Sequence, residues 1–326
     1  MRAETVIFLP NWVGDFLMAF ASLDRVFKEG MLFFGKPHFF QLIRGKYPGD
    51  VWIEKKSAFL RDLATLFKSR ATCAVLLPNS FGSALLATLS GMSKVVGVPS
   101  DFRGFLLTKR VLPSATHQAE IYRELLEAAG LSFEGELEAR MYLAREDLEW
   151  AREKLDALGV RGEPVFAFHP GASKALRRWP ADRFAEVARR VAKRGWFVVA
   201  VGDRRDAALV DTPSAGFYNL AAESPPLGRL AAFLSLCSLF LGNDSGPLHI
   251  AAAAGVPCVG IYGTSVPERT APVLRRGGVF KAVASRLPCS PCRERLRREC
   301  EPVDGVPRCI HGIGVEEVWE ALEPLL

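Results

Sequence analysis

Short apolar runs rich in β-branched and aromatic residues alternate with amphipathic segments along the chain, and the alternation starts afresh after residue 164. In the first half the runs at 5–9, 31–34, 51–54, 73–77 and 95–98 read as strands. Helical spacing occupies 15–28, where Phe16, Phe20, Leu23 and Phe27 share a face, and then 60–67, 83–89 and 119–129. Strands that are apolar throughout must be covered on both faces, and parallel neighbours need a crossover, which the intervening helices supply. A charged helix at 145–158 ends at Gly159, and Arg161-Gly162-Glu163-Pro164 reads as a short linker. Strands at 165–168, 197–201, 239–241 and 258–262 follow, with helices at 181–194, 227–237 and 247–254. The expectation is an α/β chain of two Rossmann-like, doubly wound domains, residues 1–160 and 161–326, facing across a cleft. Ligands of such sheets sit beyond the carboxyl ends of the strands, so the strand-to-helix loops carry the functional argument.

Composition agrees with two domains, because single cores stop growing at roughly 250–300 residues and this chain has 326. At 49% hydrophobic and 24% charged, it is neither a disordered tail, a collagen nor a small disulfide scaffold. The net charge of +6 calls for an anionic partner without naming it. The charges are spread and the aromatics fit core positions, so nucleic acid is not expected. Two 23-residue stretches, 71–93 and 245–267, lack Asp, Glu, Lys and Arg. Both are broken by Pro and Gly in the manner of a strand joined to a helix, not of a membrane span. No targeting segment is visible, and the reading is a cytoplasmic protein.

Three loops stand out. The first, Pro10-Asn11-Trp12-Val13-Gly14-Asp15, leads into a helix whose first turn holds Asp15. That carboxylate either caps the helix dipole or faces the ligand as a general base. The second, running from His169 to Pro180, contains Ser173 and the cations Lys174, Arg177 and Arg178 among small residues. It suits a diphosphate, which takes hydroxyl and backbone N–H donors together with cationic charge, or else it is a solvated basic loop. Neither a P-loop nor the glycine fingerprint of dinucleotide binding occurs. The third is the most specific: Gly242-Asn243-Asp244-Ser245-Gly246-Pro247-Leu248-His249. Gly246 and Pro247 suit a helix start with its N–H groups open to a phosphate. Asp244 would then accept from sugar hydroxyls, whereas the plain alternative is a capped helix with a buried His249. Asp206, in Gly202-Asp203-Arg204-Arg205-Asp206, is either a ribose ligand or part of a surface turn.

At these loops the sequence resembles the lipopolysaccharide heptosyltransferases of glycosyltransferase family 9, especially those of the heptosyltransferase II type. The resemblance runs through Asn11-Trp12-Val13-Gly14-Asp15, Leu76-Leu77-Pro78-Asn79-Ser80-Phe81, Pro170-Gly171-Ala172-Ser173, Arg177-Arg178-Trp179-Pro180 and Asn243-Asp244-Ser245-Gly246-Pro247-Leu248-His249. It implies a GT-B type fold with an N-terminal acceptor domain and a C-terminal nucleotide-sugar domain. It also implies inverting transfer of a heptose-like sugar from a nucleoside diphosphate, ADP-heptose foremost, to a lipid-linked glycan acceptor at the inner membrane surface. Asp15 matches the catalytic base, Ser173 and Arg177 the phosphate positions, and Asp244, Ser245, Gly246 and His249 the donor pocket, with Asp206 as an acidic ribose ligand. Arg177 stands where many members have Lys, which exchanges a point charge for a bidentate fork. No Asp-x-Asp occurs in the chain, so no metal at the diphosphate and no cofactor are expected. A sugar-nucleotide epimerase or hydrolase of the same fold, and a non-enzymatic anion-binding protein, are the alternatives.

Seven cysteines fall unevenly. Cys73, Cys237 and Cys258 lie in apolar runs, as inert core residues do. Cys289, Cys292, Cys300 and Cys309 crowd the tail, and a structural zinc site, disulfides and reduced thiols all stand open there. Four arginines within 293–298 beside them are a solvated face or a contact for an anionic acceptor.

Overall fold

Two parallel sheets of six strands each organise the computed structural model, which describes residues 4–210, 216–292 and 300–326. The first sheet comprises β1 (Thr5–Phe8), β2 (Met31–Gly35), β3 (Trp52–Glu54), β4 (Cys73–Leu76), β5 (Lys94–Gly97) and β6 (Lys109–Arg110). The second comprises β7 (Val165–His169), β8 (Phe197–Ala200), β9 (Phe217–Asn219), β10 (Leu239–Asn243), β11 (Cys258–Tyr262) and β12 (Phe280–Ala284). Their orders are β3-β2-β1-β4-β5-β6 and β12-β11-β10-β7-β8-β9. Renumbered from its own first strand, the second sheet repeats the connectivity of the first. Each is doubly wound, and its direction of winding reverses between β1 and β4 and between β7 and β10.

The central strands are the apolar runs read from the sequence. Their side chains are buried because helices cover both faces. Val6, Phe8, Ala74, Leu76 and Val95 join Leu66, Ala84 and Ala87 in one layer of the first unit. Phe166, Phe168, Leu239, Leu241 and Val259 join Trp179, Phe184, Val187 and Val318 in the second. Three strands were not expected: β6, β9 and β12. All three lie at or beside sheet edges, where a strand pairs on one side and needs little apolar content; β6 is only Lys109-Arg110.

The chain divides into Met1–Leu143 and Ala144–Leu326. The expected boundary after residue 160 therefore shifts. Helix Arg145–Ala157, assigned from sequence to the first domain, packs on helix Leu227–Leu234 of the second. Arg229 lies over the Trp150 ring at 5.2 Å, and Lys154 donates to Tyr218 at 3.1 Å. Those partners lie 64 to 79 residues downstream, and the composition of the linker gives no hint of them. Among the described residues no helix is long and apolar enough to cross a membrane.

Candidate active site

In the first unit, β1 delivers the chain through Trp12, the helix N-cap, into helix Val13–Val26, and Asp15 stands in the first turn as expected. Tyr122 of helix Gln118–Ala129 donates its hydroxyl to Asp15 Oδ1 at 3.3 Å. The Tyr122 hydroxyl is almost wholly buried, and burial first, then the Asp15 charge, holds its pKa well above the ordinary tyrosine value. It therefore stays a donor and orients the carboxylate. Around the same loop Lys55 donates to Asn11 Oδ1 at 2.8 Å, and Lys36 lies 5.6 Å from the exposed Trp12 ring. Two cations thus border the loop that carries the carboxylate.

In the second unit the loops after β7 and β10 are adjacent because β7 and β10 are neighbours at the reversal of winding. Asn243, the last residue of β10 and fully buried, fastens the two together. Its Nδ2 donates to Pro170 O at 2.9 Å and Gly171 O at 3.0 Å, while its Oδ1 accepts from Trp179 N at 2.9 Å. Trp179 is pinned in turn by donating Nε1 to Ile313 O at 2.9 Å. Between those anchors the loop exposes Ser173 and places Arg177 against Asp244, Nη1 to Oδ2 at 3.2 Å. The same Oδ2 accepts from Ser265 at 2.6 Å and Thr270 at 3.4 Å, drawing in the loop after β11. Ser245 is the N-cap of helix Gly246–Ala254, so the N–H groups of that first turn begin at Gly246, beside Asp244. His249 is buried one turn further on. Tyr262 is buried at the end of β11 with no hydrogen bond to its hydroxyl among the described residues, and its pKa is pushed well up by burial and then by Asp244.

Asp206 is placed differently from expectation. It closes a capping box with Asp203 and is buried. Its Oδ2 accepts from Asp203 N at 3.0 Å and meets His169 Nε2 at 3.1 Å; His169 Nδ1 meets Ser245 Oγ at 3.0 Å. A chain Asp206–His169–Ser245 therefore links the ends of β8, β7 and β10. Two glycines make room for it: a Cβ on Gly171 would stand 2.0 Å from Asp206 Oδ1, and one on Gly202, at φ +151°, 2.6 Å from Oδ2. Burial raises the Asp206 pKa, but the hydrogen bond and charge of His169 outweigh it and leave the carboxyl below its ordinary value.

The tail cysteines are separated by environment. Cys309 is buried in the second core and Cys289 is exposed, with Cys292 and Cys300 between; all seven thiols of the chain are unpaired. Ser290 donates to Gly263 O at 2.6 Å, and a Cβ on Gly263 would come within 3.2 Å of Cys309 Sγ. Among the described residues no three His, Cys, Asp or Glu side chains stand close enough to share a metal ion. The arginine run within 293–298 lies outside the described residues.

The family model "Glycosyltransferase family 9 (heptosyltransferase)" matches residues 61–301. The chain belongs to glycosyltransferase family 9. It is thus an enzyme that transfers a sugar. Lipopolysaccharide heptosyltransferase 2 of Escherichia coli K12 is 26% identical, over 97% of both chains. The solved E. coli ADP-heptose heptosyltransferase II superposes with a TM-score of 0.76 at 23% identity, covering 99% of this chain and 98% of that one. A family 9 glycosyltransferase of Veillonella parvula superposes at 0.77 with 21% identity, covering 100% and 98%. The two sheets are therefore those of the GT-B type.

The sequence does not reveal Tyr122, His169, Asn243 or Thr270 as members of the site, whereas Ser265 lies in the loop 262–267, which reads as closing the same pocket. Asn243 and His169 stand within the loops singled out above, but nothing in a linear pattern says that a side chain turns back on a loop 72 residues away.

Proposed function

We propose that this family 9 enzyme moves a heptose-like sugar, with inversion, from an ADP-heptose-type donor to the inner core of lipopolysaccharide or a similar lipid-linked glycan. The observation that carries the reading is the Arg177–Asp244–Ser265 cluster at the start of helix Gly246–Ala254, held in register by Asn243. A partly exposed cation, two part-buried hydroxyls and the start of a helix meet there, a combination that suits a departing diphosphate.

In this reading Asp15, oriented by Tyr122, takes the proton of the acceptor hydroxyl as its oxygen attacks the anomeric carbon. The bond from that carbon to the diphosphate oxygen breaks on the opposite face. Arg177, Ser173 and the N–H groups from Gly246 onward then receive the charge that develops on the leaving diphosphate. Asp244, already committed to Arg177 and Ser265, orients donor hydroxyls, and His249 lines the pocket. Asp206 is reassigned from ribose ligand to positioning residue, since its carboxylate is buried and engaged by His169. Lys36 and Lys55, against Trp12 and Asn11 of the loop that leads to Asp15, suit a phosphorylated acceptor. The first unit then takes the acceptor and the second the donor, and the enzyme works as a peripheral protein at the cytoplasmic face of the inner membrane.

Calorimetric titration with ADP, GDP and UDP, followed by a transfer assay with ADP-heptose, tests the reading. ADP binding with heptosyl transfer is expected; binding of none of the three would overturn it.

A further inference from the structure

The outer layer of the first unit breaks the ordinary rule for surface helices, which turn polar residues outward. Helix Phe59–Ser69, helix Phe81–Leu89 and the turn Gly104–Leu106 pack side by side over one sheet face, burying Leu66, Ala84, Leu86 and Ala87. Their opposite side is studded with exposed apolar residues, among them Leu60, Phe67 and Leu89. The segment that follows adds Phe102 at 95% exposure, Phe105 at 72% and Leu112 at 82%. Single exposed apolar residues are ordinary, but a set spread over adjoining elements marks an interaction surface.

The fold holds part of this set in place at a cost. Asp101 and Phe102 both adopt φ of +54°, the left-handed region that favours glycine, and a phenylalanine there is strained. Arg103 next to them is fully buried. Its guanidinium donates to Pro78 O at 2.6 Å, Ser80 O at 3.1 Å, Asn79 Oδ1 at 3.1 Å and Val98 O at 2.9 Å, locking this turn to the loop after β4. Asp101 Oδ2 accepts from Phe81 N at 2.8 Å, and the Phe81 and Phe105 rings lie 6.2 Å apart. A buried, multiply bonded arginine and two strained residues thus support a turn whose most prominent side chain is an apolar ring in water.

Charge names the occupant. Residues 57–112 contain seven cations, Arg61, Lys68, Arg70, Lys94, Arg103, Lys109 and Arg110, against two carboxylates. Of those two, Asp62 is buried and accepts from Lys56 N, and Asp101 is engaged by Phe81 N. Arg103 is buried, so the stretch that carries the apolar set presents six exposed cations, Arg61, Lys68, Arg70, Lys94, Lys109 and Arg110, against those two engaged carboxylates. Aromatic and aliphatic side chains interspersed with cations, on helices too short to span a bilayer, match an anionic lipid surface, where rings enter the headgroup boundary and cations meet phosphates.

We propose that this layer of the first unit docks the enzyme on an anionic bilayer, with Phe102 and Phe105 as the inserting side chains. The inference rests on the lipid-linked acceptor proposed above and supplies the surface by which the enzyme would reach it.

The test is flotation of the full chain with phosphatidylethanolamine vesicles containing phosphatidylglycerol, and with phosphatidylcholine vesicles alone. Binding to the anionic vesicles is expected, and salt should weaken it. Phe102→Ser with Phe105→Ser should reduce the partition coefficient about tenfold or more. Lys109→Gln should reduce it about fivefold. Unchanged circular dichroism and urea melts of the same variants show that they are folded, and because neither these readouts nor the vesicles involve donor or acceptor, the result is independent of whether the sugar assignment stands. No flotation of the wild type, or flotation undiminished in the double variant, would overturn the proposal. So would a dimer in velocity sedimentation without lipid that the double variant abolishes, since a second copy would then own the face.

Discussion

Arg177 and Asp244 meet across two strand-to-helix loops, guanidinium Nη1 to carboxylate Oδ2 at 3.2 Å, although 67 residues separate them in the chain. The carboxylate is nearly buried while the guanidinium is about a third exposed. Asp244 therefore anchors the pair, and Arg177 retains an accessible edge toward a ligand. Arg177→Ala removes the cation and leaves Asp244 poorly compensated, so ADP affinity should fall about 10- to 100-fold. Arg177→Lys keeps the charge and should stay within about tenfold of wild type, because it loses only the forked geometry. Calorimetric titration separates the cases; an alanine variant that binds ADP like wild type would remove Arg177 from the diphosphate site.

The proposed base, Asp15, and the hydroxyl that orients it should part company in kinetics. Asp15→Asn is expected to lower kcat by about 10²- to 10⁴-fold, the usual share of a general base, without changing ADP affinity. Tyr122→Phe leaves the carboxylate in place and removes only the 3.3 Å hydrogen bond, so its loss in kcat should be about tenfold or less. Steady-state rates with binding measured in parallel check both, and a fully active Asp15→Asn enzyme would exclude the assignment.

Asn243 braces the loops of the proposed donor site from behind. Asn243→Ala leaves Pro170 O, Gly171 O and Trp179 N without their buried partner, a loss of about 2–4 kcal/mol in unfolding free energy. ADP affinity should fall with it, because Ser173 and Arg177 ride on the loop so released. Gly171→Ala should be damaging for a different reason, since its methyl would displace the Asp206 carboxylate. Urea melts together with ADP titrations read both effects; an Asn243→Ala protein of unchanged stability would contradict the clamp.

Asp206 gives the chain an acid limb. Its folded pKa lies below the unfolded value of 3.8, so its stabilisation is complete above that pH and is lost as pH falls through the folded value. Asp206→Asn should therefore flatten the fall in stability below about pH 4 while lowering stability near neutrality, where the carboxylate would otherwise hold His169. Denaturant midpoints measured from pH 3 to 7 decide this; identical profiles for the two proteins would show that the Asp206–His169 contact contributes nothing.

Thiol chemistry should follow burial. Cys237 and Cys258 are sealed in the second core, where burial lifts their pKa far above that of a free thiol, and Cys309 is raised to about 11. Cys289 is exposed. Under native conditions an aromatic disulfide reagent should modify Cys289 first and reach Cys237 and Cys258 only on unfolding. Mass mapping of the labelled peptides checks the order.

Much of the architecture was legible because central strands are one-dimensional signals. Val165, Phe166, Ala167 and Phe168 are apolar whichever face they meet, and the pattern announces a strand covered on both sides. Edge strands such as Lys109–Arg110 send no such signal, because the sheet, not their own side chains, defines them. Helix Arg145–Ala157 was visible, but its allegiance to the second unit depends on Trp150 and Lys154 finding Arg229, Tyr218 and Glu223.

For the site, residue order alone sufficed to find the loops, the carboxylate at position 15, the cations from 174 to 178, and the helix start at Gly246. Residue type and spacing are enough where chemistry needs a charge or an open turn at one point of the chain. Which groups meet follows from the fold. It turned Asp206 inward to His169, set Arg177 on Asp244, laid Asn243 under the loop after β7, and gave Asp15 its tyrosine. Those are hydrogen bonds between residues 37 to 107 positions apart. The Arg177 and Asn243 contacts exist because the sheet sets the ends of the non-consecutive strands β7 and β10 side by side, that of Asp206 because β8 flanks β7, and that of Asp15 because two helices pack on the first sheet. Each juxtaposition is fixed by topology and written in no local stretch of sequence.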